Sequence, residues 1–175
     1  RQVQIQCLNN IAHLEPNLPK KRSKKRIILV RHGETDWNKQ GRFQGQIDIP
    51  LNQNGKDQAN AAREFLKSIS IQKAFSSSLS RPRETAQIIL KEHPGIEISL
   101  KDNIKEIGHG KWEGKLESEI KSDWPDLLKT WKISPEEVQM PDGENIKEVS
   151  KRSITGWNEI CKDLKNDETA LVVAH

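Results

Sequence analysis

Ile28-Leu29-Val30-Arg31-His32-Gly33-Glu34 is the stretch on which the reading of this chain turns. An apolar run ends abruptly in an Arg-His-Gly turn, the pattern of a short buried strand. In open α/β sheets, chemistry collects just beyond the carboxyl ends of strands. A histidine at such an end, beside an arginine, suits attack on phosphorus. Imidazole supplies the nucleophile, and guanidinium holds phosphoryl oxygens in a planar fork.

Outward from that stretch, strands and helices alternate. Ile27–Val30 predicts a strand, and residues 31–51 predict a long polar loop with Gly33, Gly41 and Gly45. A helix follows to about Ser68, with Ala62, Phe65, Leu66 and Ile69 at helical spacing. Lys73–Ser76 predicts a short strand. Ser80 is the expected N-cap of the next helix, with Pro82 in its first turn and Ala86, Ile89 and Leu90 turned inward. Ile96–Ser99 predicts an edge strand, and residues 106–114 a glycine-rich loop. Leu116, Ile120, Trp124, Leu127, Leu128 and Trp131 form a helical stripe broken at Pro125. A long helix is expected from about Glu144 to Leu164, then a strand at Leu171–Ala174 that stops at His175. The alternation predicts an α/β fold, a three-layer sandwich with a largely parallel central sheet flanked by helices.

With 175 residues the chain is long enough for one domain with a substantial core. Hydrophobic residues make up 33% and charged residues 31%, at a mean hydropathy of −0.80. That is polar, but the apolar positions are periodic, which excludes a disordered chain. Two cysteines, Cys7 and Cys161, make no disulfide framework. Cys161 lies on a helical stripe and reads as a core thiol, and the cysteine usage suits a reducing, cytoplasmic compartment; the sequence leaves cytosol or plastid open. No run approaches the roughly 20 apolar residues of a membrane span, and Arg1-Gln2-Val3 opens no signal peptide. Of the net charge of +4, six basic residues lie in Lys20–Arg26, and without them the balance is −2. The basicity is local, so neither nucleic acid nor membrane is an expected partner. Residues 1–25, with alternating Val3, Ile5 and Cys7, then Pro16, Pro19 and the basic run, read as the end of a preceding domain plus a linker. Residues 26–175 read as the domain proper, truncated at its C-terminal end.

The motifs extend the opening signal. Arg31-His32-Gly33-Glu34-Thr35 with Trp37-Asn38 is followed by Gly41-Arg42-Phe43-Gln44-Gly45 and Pro50-Leu51-Asn52. Ser76-Ser77-Ser78-Leu79-Ser80-Arg81 precedes Glu84-Thr85-Ala86. Glu106 precedes Gly110-Lys111-Trp112-Glu113-Gly114, Asp142-Gly143-Glu144-Asn145 comes next, and Val172-Val173-Ala174-His175 closes the series. In this order the segments resemble the histidine phosphatase superfamily, the phosphoglycerate mutase-like family, over residues 26–175.

That resemblance implies a set of roles. His32 would attack phosphorus and carry the phosphoryl group. Arg31, Asn38, Arg81 and His175 would bind its oxygens. Glu106 would protonate the leaving oxygen and then activate water, with Glu97 and Glu113 as rivals. Gln44 and Gly45 would contact substrate. His109 either lines the pocket or covers it, and His13 and His93 read as surface residues. Trp37 and Trp112 flank motif loops, whereas the other tryptophans fit helical stripes. No cluster has metal-ligand spacing, so no metal or other cofactor is expected. Glu106 and His175 lie only 69 positions apart, which resembles the compact phosphatase branch rather than the mutases with their longer insertion. The implied activity is metal-independent hydrolysis of a small phosphorylated metabolite. A phosphoglycerate mutase-type transferase and a catalytically weak phosphoryl-binding domain are the alternatives. Large two-domain members of photosynthetic lineages are also similar, which would place a further domain upstream.

Overall fold

Strand β1 (Arg26–Arg31) is the first element of the computed structural model, which describes residues 25–175. The strand and linker expected within residues 1–24 lie outside the described residues. After β1 come helices α1 (Asp36–Gln40) and α2 (Gln53–Leu66), strand β2 (Lys73–Ser77), helix α3 (Ser80–Ile89) and strand β3 (Ile98–Lys101). Helices α4 (Glu117–Asp123), α5 (Pro125–Ile133) and α6 (Ile146–Asp163) then lead into strand β4 (Thr169–Ala174).

The four strands form one sheet in the order β1-β4-β2-β3, with every pairing parallel. Parallel sheets need both faces covered, and the period-two alternation of β4 shows how this one is. Leu171 and Val173 pack with Leu66, Ala74, Ala86 and Ile89 on the α2/α3 face. Ala170 and Val172 pack with Phe75, Ile160 and Leu164 on the α6 face. The result is the expected three-layer sandwich. Burying a side chain such as Phe75 or Leu171 contributes about 1.5–3 kcal/mol. Across the α6 layer, the side chains of Lys25 and Lys73 donate to the carbonyls of Cys161 and Asp163 and so cap the end of that helix.

A smaller lobe of α4, α5 and the neighbouring loops has its own core of Trp112, Ile120, Leu128, Val138 and Met140. Trp112 is therefore core, completely buried, not merely a residue flanking a loop. Pro125 breaks the stripe as expected, occupying the first turn of α5.

The loop expected over residues 31–51 contains helix α1. Thr35 caps it, and Asn38 reciprocates by accepting from the Thr35 N–H. Asn at the position where Glu or Gln usually completes a capping box hides the signal. Gly41, with φ of 72°, ends the helix. The edge strand β3 lies two residues later than predicted. Helix α6 keeps its predicted extent within two residues, started by Asn145. His93 is buried, not a surface residue, in the turn after α3 where its N–H donates to the Leu90 carbonyl. Cys161 is half-buried rather than a full core thiol.

Candidate active site

Register carries the two key histidines together. Arg31 pairs with Ala174 in adjacent strands β1 and β4, and the His32 N–H donates to the Ala174 carbonyl at 3.0 Å. His32 and His175 therefore leave neighbouring strands at the same level. Their rings stand 5.1 Å apart, 64° from parallel. Strand β2, on the other side of β4, contributes Ser77, whose Oγ lies 3.0 Å from His175 Nε2. Helix α3 begins directly after β2 and brings Arg81 between the two rings.

Glycine makes the approach of His32 possible. A Cβ on Gly33 would lie 2.3 Å from the Gly55 carbonyl oxygen, and one on Gly55 would lie 2.1 Å from the Glu34 carbonyl oxygen. The β1–α1 turn thus rests backbone-to-backbone on the start of α2. The Gly33 N–H also donates to Thr85 Oγ1 of α3.

Arg81 is completely buried. Its Nε approaches His32 Nε2 at 3.3 Å, and its Nη2 approaches His175 Nδ1 at 3.3 Å. The carbonyls of Gly45 and Ile47 accept from Nη2 and Nη1 at 2.8 and 3.2 Å. Among the described residues no carboxylate bonds to it directly. Burial lowers its pKa, against the opposing fields of Glu106, Asp48 and Glu113. The helix that carries it has no side-chain cap from Leu79, the residue at its N-cap position. Ser80, the expected cap, lies inside the helix instead. Asp48 supplies the cap from across the chain, its Oδ1 accepting from both the N–H and the hydroxyl of Ser80 at 2.7 Å.

His32 Nδ1 lies 2.7 Å from the Gly33 carbonyl. A carbonyl only accepts, so Nδ1 carries the proton and Nε2 keeps its lone pair. Burial drives the His32 pKa down to about 4, with Arg81 and Arg31 adding to the effect against the Gly33 bond. His175 is pushed down to about 2, by burial first and then by Arg81, His32 and the other arginines. Both rings are neutral at neutral pH. Glu106 Oε2 lies 4.0 Å from His175 Nδ1, which places the carboxylate on the open side of the pair.

The remaining expected site residues lie around this centre. Arg31 is exposed at the end of β1, and its charge acts on His32, His175 and Arg81. Asn38 turns its Oδ1 to Thr35 and so leaves its amide nitrogen as the donor end. Gln44 is buried, its Oε1 2.6 Å from Thr35 Oγ1, and so braces the loop from within. Gly45, at φ of 58°, gives Arg81 its carbonyl. Of the rivals to Glu106, Glu113 is spent on the backbone N–H groups of Gln46, Ile47 and His109. Glu97 is exposed beside the edge strand β3. His109 is buried against Phe43 and Trp131, and its Nδ1 has no hydrogen-bond partner among the described residues. Among the described residues, no group of three or more His, Cys, Asp or Glu could hold a metal ion.

Three buried histidines, His32, His109 and His175, have pKa values below the ordinary 6.5, burial being the largest cause in each. In the unfolded chain they titrate near 6.5. Below that pH the unfolded state takes up protons that the folded state refuses. Stability is therefore expected to be level above pH 6.5 and to fall below it, by as much as about 1.4 kcal/mol per pH unit for each histidine. Urea midpoints at pH 7, 6 and 5 test this, and a midpoint unchanged from pH 7 to 5 would contradict it.

Two uncharged imidazoles with a guanidinium between them suit capture of a phosphoryl group on nitrogen, and this defines the class as a phosphoryl-transfer enzyme. Residues 27–175 match the family described as histidine phosphatase superfamily, branch 1, and the chain belongs to that superfamily. It is 34% identical over 150 residues to phosphoserine phosphatase 1 of Hydrogenobacter thermophilus, covering 86% of this chain and 70% of that protein. It is also 34% identical over 152 residues to a probable phosphoglycerate mutase, GpmB, of Escherichia coli O1:K1, covering 85% and 68%. Among solved structures, YhfR of Bacillus stearothermophilus superposes with a TM-score of 0.81 at 30% identity, over 86% of this chain and 74% of that one.

Proposed function

We propose that the chain is a phosphoric monoester hydrolase that works through a phosphohistidine at His32, without a metal, on a small phosphorylated metabolite. The observation that carries this reading is the contact of His32 Nδ1 with the Gly33 carbonyl, which puts the proton on Nδ1 and turns the Nε2 lone pair toward the Arg81 guanidinium, 3.3 Å from its Nε. Kinship with a named phosphoserine phosphatase supports hydrolysis as the outcome.

In the first step His32 Nε2 attacks phosphorus, and the bond from phosphorus to the ester oxygen breaks. Glu106, as the carboxylic acid, gives its proton to that oxygen. In the second step water attacks phosphorus, Glu106 takes the water's proton, and the P–N bond breaks to release inorganic phosphate. Arg81, Arg31 and Asn38 hold the phosphoryl oxygens throughout. His175 is oriented by Ser77 to serve them from the other side, and the dianionic phosphoryl group favours its protonation on Nδ1. A mutase reading shares the first step and differs in the acceptor, a second hydroxyl in place of water. The basic linker and an upstream domain belong to the same proposal, as does a cytoplasmic setting, which rests on the cysteine usage. The described residues contain no helix long and apolar enough to cross a membrane.

The test is mass spectrometry of the protein after brief exposure to an aryl phosphate in EDTA at neutral pH. An acid-labile adduct on His32 with multiple turnovers is the expected result. Failure of turnover in EDTA, restored by a divalent ion, would overturn the metal-independent route. Phosphoglycerate mutase turnover exceeding hydrolysis would overturn the assignment to hydrolysis.

A further inference from the structure

The carboxylate of Glu106 rides on an irregular segment, residues 105–109, between two single turns of 3-10 helix, Asp102–Ile104 and Gly110–Trp112. A general acid on a loop needs its backbone held from outside, because a displacement of about 1 Å can cost about 100-fold in rate. Arg152, on α6, is placed to do this. All five of its N–H donors are used. Nη1 donates to the carbonyls of Asn103 and Lys105 at 3.2 and 2.7 Å. Nη2 donates to the carbonyl of Glu106 itself at 2.8 Å. The Nε and the second Nη2 proton form a fork on Glu144, at 2.6 and 2.7 Å.

Glu144 carries the bracket onward. Its Oε2 also accepts from the Gly108 N–H at 2.8 Å and from Gln46 Nε2 at 3.1 Å. Gln46 Nε2 reaches the Glu106 carbonyl as well, at 3.1 Å. The backbone at 103, 105, 106 and 108 is thus tied to one half-buried ion pair, and the loop that holds Arg81 through Gly45 and Ile47 is tied to it too. Gly156, one turn further along α6, lets the helix lie against Asn103, where a Cβ would come within 2.9 Å of that residue's own Cβ. The side chain of Glu106 then turns back, its Oε1 accepting from the Ile107 N–H at 3.0 Å.

We infer that Arg152, with Glu144 as its counter-ion, is the positioning residue of the general acid, holding the Glu106 backbone so that the carboxyl meets the leaving oxygen. The inference rests on the role proposed for Glu106. Lysine cannot replace this arginine, because a point charge with three donors cannot serve three carbonyls and a carboxylate fork at once.

The experiment compares wild type, Arg152→Lys and Glu144→Gln on phosphomonoesters graded by leaving group, from 2,4-dinitrophenyl phosphate to an alkyl phosphate. Dinitrophenolate leaves without protonation, whereas an alkoxide requires it. For both variants kcat/KM on the alkyl phosphate, which reports transfer to His32 and not the later water step, is expected to fall about 100-fold while kcat/KM on dinitrophenyl phosphate changes less than about threefold. A loss that is uniform along the series, or none, would overturn the inference. Glu144→Gln keeps the shape of the fork and serves where Arg152→Lys does not fold. Glu106→Gln in the same series separates the two levels. If it shows no selective loss on alkyl phosphate, the acid role itself fails. If it does and the Arg152 and Glu144 variants do not, only the positioning role fails.

Discussion

Replacing His32 by asparagine is expected to lower kcat by at least about 10⁴-fold, the scale on which removal of a nucleophile is felt, and to abolish the acid-labile adduct. Asparagine is chosen because its Nδ2 can still donate to the Gly33 carbonyl that now receives the His32 Nδ1 proton. The turn resting on Gly55 therefore keeps its geometry, and the loss is one of chemistry. Vanadate or phosphate affinity should stay within a few-fold, since Arg81, Arg31 and His175 remain. A second readout is independent of activity. With one buried neutral histidine removed, the decline of stability below pH 6.5 should become shallower by as much as about 1.4 kcal/mol per pH unit. Retention of adduct on another residue at normal turnover would show that His32 is not the nucleophile.

What the chain discloses without coordinates follows the range of each interaction. The strand ending at His32 and the strand ending at His175 are each a single apolar run, so both histidines could be placed at strand ends from local pattern alone. That they face each other depends on β1 and β4 being neighbours, 143 positions apart in their registered pair Arg31 and Ala174. Local pattern says nothing of that pairing. Residue order shared with a known superfamily does. Ser80 satisfies every local rule for an N-cap, yet it lies inside α3. The actual acceptor, Asp48, is 32 positions upstream and outside any window that could be scanned. Gln44 sits in a motif whose neighbours face the site, yet its own amide is turned inward to Thr35. Arg152 carried no signal at all. On a helical wheel it is one more basic residue among Lys147, Lys151 and Lys162, and only the path of residues 103–106 past it shows its use.

Arg81→Met is the second large expectation, because it separates function from stability. Among the described residues the buried guanidinium has no carboxylate bonded to it and is held by two main-chain carbonyls and two imidazole nitrogens. Burying a charge so weakly compensated costs several kcal/mol, and methionine of similar length removes that cost. Against this, the Gly45 and Ile47 carbonyls lose their donor, at about 1–3 kcal/mol for a buried acceptor. Ile47 is exposed, so water can replace the donor there, whereas the Gly45 carbonyl and the two imidazole nitrogens lose theirs. The two effects come close to cancelling, and the melting temperature of the unliganded protein should move by no more than a few degrees. Activity should fall steeply: kcat/KM is expected to drop about 10²–10³-fold, the order lost when a preorganised donor to developing phosphoryl or oxyanion charge is removed. The discriminating measurement is thermal melting with and without vanadate. At 100 times its dissociation constant, a ligand that binds only the folded state adds about 2.7 kcal/mol, so wild type should melt several degrees higher. Arg81→Met should lose that increment while keeping its unliganded melting temperature. A variant that melts much lower unliganded would make Arg81 a structural anchor of the 45–47 loop, and one that keeps the vanadate increment would remove it from the phosphoryl site.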